Sequence, residues 1–327
     1  MWTRHKAVIV VAAVVVLAGL VTGALFAFGG QPKRASATPS DTAQQVRSPF
    51  TGELVRSLNP VLAVKIDNIV HARPQTGLTH ADIVYVLPVE GGLSRFLVIF
   101  SSGYPPAAGP VRSAREDDLQ VLRQFGRPAF AYSGATPALL RYIHRSARIV
   151  DLYAGTARGY YRDDRRVAPY NLYAHTGLLL AQAPGASRAR DIGFRFGPPP
   201  PGGMVTGSAS VAYPAASFTF TWSAARGRWL VSMDGAAAVT TDGGPLAPAT
   251  VVIQHTTVGT SRFLEYGQPP PFAESIGSGT AEVLRDGQAW TTHWSRPDAE
   301  AGTTFTTTSG QPMTFATGQV WIVLAYP

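Results

Sequence analysis

The sequence has no cysteine. No disulfide framework can brace it, so whatever is exported must be held together by its cores alone. Thiol catalysis is excluded, and so is a lipid anchor on a cysteine following an apolar leader. The histidines show no metal-ligand spacing: His71 and His80 flank a turn, and His144, His175, His255 and His293 stand far apart. No metal site and no cofactor are therefore expected. The glycine patterns of phosphate and dinucleotide loops are missing as well. Lysine-rich runs are absent too. The formal charge of +8 comes from 28 Lys+Arg against 20 Asp+Glu, and the cations are scattered. Nucleic acid is not expected as a partner. The excess suits an anionic membrane face or wall polymer better.

One long apolar run is present. Residues 7–28 carry no charge and are long enough to span a bilayer as a helix. Arg4, His5 and Lys6 precede them, so residues 1–6 are expected in the cytoplasm, with the folded domains outside the cell membrane on a single-pass anchor. A cleaved signal peptide competes with this reading, because Ala35-Ser36-Ala37 has a cleavage-site pattern. The length of the apolar run, with Lys33 and Arg34 just before that pattern, favours an uncleaved signal anchor. Residues 29–48, rich in Gly, Pro, Ser, Thr and Gln, form a flexible linker.

Residues 49–196 mix strand and helix signals. Apolar runs at 61–66, 83–87, 96–100 and 129–132 predict strands. Gly109-Pro-Val-Arg-Ser-Ala-Arg-Glu116 predicts a turn and a helix start, with Ser113 as N-cap and Glu116 completing a capping box. Leu119, Leu122 and Phe125 follow at helical spacing, and Gly126 ends the run. Thr136 with Pro137 starts another helix. This predicts an α+β domain with a mixed sheet and packed helices. The stretch 197–203 is a Pro/Gly linker. Residues 204–327 predict an all-β domain, with strands near 217–222, 228–233, 250–256, 279–284, 289–293 and 320–325 and hairpin turns at Asp234-Gly235 and Asp286-Gly287. Two domains, each with its own core, are expected.

Polar residues gather at the ends of these strands. Asp67 and Glu90 are the candidate catalytic carboxylates, as an acid and base pair of the kind glycoside chemistry needs. For Asp67 the competing reading is a turn-capping residue beside Asn68, and for Glu90 a partner of Arg95 or Arg112. Arg73, Arg95, Arg112 and Arg115 together suit a carboxylate or phosphate. Arg112 stands out, with Ser113 beside it, because a helix start adds exposed N–H groups. Ser113 as a nucleophile lacks an evident His–Asp pair. Asn68 joins the candidate ligand-binding set. Arg162, Asp163 and Asn171 would complete a pocket from a loop, with Tyr170 and Tyr173 framing Asn171. A solvated charge run is the alternative for the Arg-Asp-Asp-Arg-Arg stretch.

In combination these residues resemble the YerB-like family, a group of exported bacterial proteins of uncharacterised function, often lipoproteins. The resemblance rests on Lys65-Ile-Asp-Asn68, Ala72-Arg-Pro-Gln75, Ala81-Asp-Ile-Val-Tyr85, Val89-Glu-Gly-Gly92, Arg95-Phe96, Gly109-Pro-Val-Arg-Ser-Ala-Arg115 and Pro169-Tyr-Asn-Leu-Tyr173. It implies a mixed N-terminal and a β-rich C-terminal part, and an extracytoplasmic location. It implies no established activity. The missing cysteine means that the anchor differs from that of the lipoprotein members.

Three functions fit these observations. One is an arginine-rich site that recognises an anionic cell-envelope component, peptidoglycan or another wall polymer. Another is a glycan-cleaving envelope enzyme using Asp67 or Glu90. The third is a scaffold that docks an envelope protein partner.

Overall fold

The computed structural model describes residues 45–327. The cytoplasmic stretch, the anchor and most of the linker expected before them lie outside the described residues. No helix among the described residues is long and apolar enough to cross a membrane.

The apolar runs form strands covered on both faces, which is why they lack polar alternation. β1 (Leu62–Asp67), β2 (Ile83–Val89) and β3 (Leu93–Phe100) are buried along almost their whole length. They are followed by α1 (Glu116–Leu122), β4 (Ala129–Tyr132), α2 (Pro137–His144), β5 (Val150–Tyr153), the small ladder of β6 (Tyr160–Arg162) with β7 (Leu172–Ala174), and α3 (Thr176–Ala181).

Beyond 197–203 the described residues form strands and turns but no helix, as the alternating pattern predicts. In order these are β8 (Met204–Val205), β9 (Ser208–Tyr213), β10 (Ala216–Ser223), β11 (Arg228–Met233) and β12 (Ala236–Ala237). Then come β13 (Thr250–His255), β14 (Val258–Thr260), β15 (Pro271–Ala273), β16 (Gly277–Arg285), β17 (Gln288–Arg296), β18 (Thr304–Thr307) and β19 (Val320–Ala325). The two predicted Asp-Gly turns are present. Asp234 and Asp286 have φ of 52° and 50° and are followed by glycines at 78° and 72°, the left-handed pair that a two-residue hairpin requires.

The expectation of two separate cores is corrected. One eleven-stranded sheet crosses the 197–203 boundary in the order β8-β17-β16-β13-β19-β2-β3-β1-β4-β5, with β18 beside β17. The last strand, β19, lies parallel to both β13 and β2 and joins the two sequence halves. Physically, β2 has β3 along one edge, and its other row of N–H and C=O groups needs a partner. β19 supplies it. The strands of the second half also cover one face of this sheet: β9–β12 form a four-stranded sheet whose Phe218 lies 6.2 Å from Phe96, and Phe96 in turn packs 5.5 Å from Trp321. On the opposite face α1 and α2 bury Val121, Leu122, Leu139 and Ile143 against Ala63, Leu97 and Phe130.

The helix after the Gly109–Glu116 stretch exists, but Ser113 does not cap it. Residues 111–114 are extended. The Val111 N–H donates to Leu172 O, that of Arg112 to Lys65 O, and that of Ala114 to Gly134 O. This pairing holds the chain in strand-like form for two further residues, so the helix opens at Glu116 with Arg115 as N-cap. Asp118 closes the first turn by accepting the Arg115 N–H at 2.7 Å. Glu116, expected in the capping box, instead accepts from Ser261 Oγ, Arg262 N and Arg262 Nε at 2.7, 2.8 and 2.5 Å.

Candidate functional site

Alternation along β1 sets the site. Val61 and Ala63 face the helix-covered side of the sheet, so Lys65 and Asp67 face it too. Asp67 is directly opposite Arg95 at the start of antiparallel β3. A cross-strand pair of opposite charge thus forms at the point where the strands leave the apolar core. Arg95 Nε is 3.8 Å from Asp67 Oδ1, and Arg112 Nε is 2.9 Å from Oδ2, an ion contact off the ideal hydrogen-bonding direction. Asp67 is 1 % exposed. Its Oδ1 also accepts the Asn68 N–H at 2.9 Å.

Glu90, just after β2, receives a two-pronged pair from Arg115: Nε to Oε1 at 2.5 Å and Nη2 to Oε2 at 2.9 Å. Burial alone would raise its pKa, but the Arg115 fork and nearby Arg95 outweigh that and hold the carboxyl below its ordinary range. Arg115 is buried and also lies 3.5 Å from Glu265 of the β14–β15 hairpin. Burial pulls the Arg95 guanidinium down to about 10, helped by the Arg115 charge and opposed by Asp67 and Glu90. Arg95 Nη1 donates to Ser113 O at 3.4 Å.

Asp67, Glu90, Arg95, Arg112 and Arg115 therefore do converge. A second buried pair continues the cluster, Lys65 Nζ to Asp118 Oδ1 at 2.6 Å with both side chains fully enclosed. Sequence reasoning missed it. The signal was a lysine at an inward position of an otherwise apolar strand.

Not every candidate reaches solvent. Asn68 is buried, donates to Ser94 Oγ, and accepts from Gln75 Nε2 and Arg73 Nε on its Oδ1. Arg73 is turned away from Asp67, toward Asn68 O at 2.7 Å and Asp234 at 2.8 Å. Asp163 is taken by Arg165.

Of the cluster's arginines, Arg112 is the most exposed. Its side chain is 26 % exposed, its guanidinium lies over the Tyr170 ring at 5.8 Å, and it lines an open hollow of about 570 Å³. That hollow sits past the C-terminal ends of β4 and β5, where Ser133 and Tyr153 leave the parallel strands, the usual ligand position in such sheets. Arg162 lines it from the β6–β7 ladder, held by Asn171 Oδ1 at 2.6 Å. Tyr160 and Tyr161 complete the wall, and Tyr161 is stacked on His175 at 4.5 Å. In the sequence Tyr160 and Tyr161 open the charged run that contains Arg162, but nothing there gives them a role of their own. The lining holds two arginines and no Asp or Glu.

Residues 50–189 match the N-terminal domain of DUF3048, described as a protein of unknown function, and residues 209–322 match its C-terminal domain. The chain belongs to this YerB-like family. Within it, the chain is 40 % identical over 111 residues to the Bacillus subtilis (strain 168) protein named "Putative lipoprotein YerB". That match spans 33 % of each protein, a third of the relative's length. The crystal structure of the Bacillus subtilis YerB protein superposes with a TM-score of 0.74 at 22 % identity, covering 85 % of this chain and 96 % of that one. The fold is thus the family's, and the two family domains meet near the Pro/Gly stretch expected as a linker.

Proposed function

We propose that this protein binds an anionic component of the cell envelope, a wall peptide or wall polymer, in the hollow lined by Arg112 and Arg162. The observation that carries this reading is the imbalance of that lining. Asp67 pairs with Arg95 and Arg112, and Glu90 with Arg115, so neither carboxylate lines the hollow, whereas Arg112 and Arg162 do, beside three tyrosines. Tyrosine faces suit sugar or peptide groups, and guanidinium forks suit carboxylate or phosphate. Arg112 is positioned from behind by Asp67, so little ordering entropy is lost when it grips a ligand.

Location follows from two supports. The named relative is described as a lipoprotein, which suits a membrane-anchored, extracytoplasmic protein. In this cysteine-free chain the apolar run at 7–28 would replace the lipid.

Glycan cleavage is the weaker reading. It needs a carboxyl able to donate a proton near neutrality, and Glu90 is held ionised by Arg115. Asp67 is enclosed between Arg95 and Arg112. Docking of an envelope protein has no specific observation in its favour.

The test is cosedimentation of the full chain, in detergent, with purified cell wall. Binding that drops about tenfold in Arg112→Ala, with no soluble fragments released, is expected. Release of fragments that disappears in Glu90→Gln would replace binding with catalysis.

A further inference from the structure

A second pocket lies on the helix-covered side, enclosed by α1, the end of α2 and the β14–β15 hairpin, with a volume of about 210 Å³. Its floor is apolar: Leu119, Ile149, Phe272 and Ile276. Its rim is cationic: Arg123, Arg148 and Arg262. The lining carboxylate, Glu116, is saturated by three donors from Ser261 and Arg262. Arg262 uses only its Nε in that pair; its guanidinium lies over Tyr142 at 5.7 Å, and its side chain is 69 % exposed. Arg148 is 61 % exposed.

Glu300 shows what this rim accepts. Its Oε1 takes both Nε and Nη2 of Arg123 and lies 3.3 Å from Arg148 Nη1. One carboxylate oxygen thus bridges two rim arginines. Glu300 is itself 45 % exposed, so the arrangement can be exchanged at modest cost. The space is below the usual size of a drug-like site and suits one residue or a short acid.

We propose that this pocket is a second ligand site, taking a carboxylate that bears a short branched aliphatic chain, with Glu300 as its built-in competitor. The aliphatic part lies on the apolar floor and the carboxylate displaces Glu300 from Arg123 and Arg148, with Arg262 adding a third cation. Such a group is the end of a peptide or a free short-chain acid. The site shares no residue with the Arg112 hollow and stands independently of it.

Calorimetric titration of the full chain in detergent micelles tests this with three probes: N-acetyl-L-leucine, 4-methylpentanoate and the uncharged N-acetyl-L-leucinamide. At least one acid is expected to bind about tenfold or more tightly than the amide. Preference between the two acids identifies the source as a peptide end or a free acid. Glu300→Gln should tighten acid binding about threefold or more, and Arg148→Ala should weaken it about tenfold. The proposal is overturned if no acid binds, if the amide binds equally well, or if Glu300→Gln leaves affinity unchanged or lowers it. Melting temperatures of the two exposed-site variants close to that of the parent exclude misfolding as the cause.

Discussion

Replacing Asp67 by asparagine removes one negative charge and almost no volume from the middle of the buried cluster. Asp67 contacts Arg95 and Arg112, and Arg95 is only 9 % exposed. Burial and the neighbouring Arg115 have already drawn the Arg95 guanidinium down to about 10, and Asp67 is the charge that opposes them most. Without it, three arginines share Glu90 and Glu265. Breaking a buried pair by removing one partner costs about 3–5 kcal/mol, mostly for the charge left behind. At about 2 °C per kcal/mol for a folded body of this size, Asp67→Asn should lower Tm by about 6–10 °C in a thermal melt followed by circular dichroism. The double variant Asp67→Asn/Arg95→Met should recover at least about 2 kcal/mol relative to the sum of the single changes, because the orphaned cation is gone. A melting point within about 1 °C of the parent, or strictly additive single variants, would refute the reasoning that this pair is the centre of the cluster.

Three further outcomes follow from the same geometry. Glu90 is depressed by Arg115, so its contribution is present above its ordinary value of 4.5 and lost as pH falls through the folded value. Glu90→Gln should therefore destabilise at pH 7, with the gap to the parent closing in acid melts. Asp117 behaves oppositely: it is buried with both oxygens unpartnered, and burial followed by the adjacent Asp118 charge pushes it up to about 7. The folded state then holds a proton that the unfolded state releases, so stability falls as pH rises from about 4 to 7, and Asp117→Asn should raise Tm at pH 8 more than at pH 5. Gly109 packs so closely that a Cβ would sit 2.7 Å from Tyr173 Cδ1 and 2.9 Å from Leu172 O, so Gly109→Ala should cost about 1–3 kcal/mol in denaturant melts and loosen the β7 wall of the hollow.

Much of this was legible from local pattern. The apolar runs of β1 to β4 gave their strands, because burial on both faces leaves a continuous apolar signature, and the Asp-Gly turns gave their hairpins. Asp67, Glu90, Arg95, Arg112 and Arg115 were found because charged residues at the ends of buried strands have few places to go. What escaped depends on contacts distant in the chain. Glu116 looks like half of a capping box until Arg262, 146 residues further on, claims it. β19 carries no mark that it will lie between β2 and β13, since its apolar run would suit a separate C-terminal core equally well. Asn68 looked available for ligand because its neighbours Ser94, Gln75 and Arg73 belong to other segments. Tyr160 and Tyr161 carry no local sign of the wall they form, because their place is set by the pairing of β6 with β7.

On the proposed reading Arg112 and Arg162 take the ligand, Arg112 while still paired with Asp67, and Arg95 and Arg115 stay within the buried cluster. The most direct measurement is a titration of soluble cell-wall peptide fragments onto full chain labelled with ¹⁵N-arginine, following the assigned Nε–H resonances. Saturable shifts at Arg112 and Arg162, with Arg95 and Arg115 unmoved, are the expected result. Saturation without movement at Arg112, or shifts confined to Arg95 and Arg115, would contradict it.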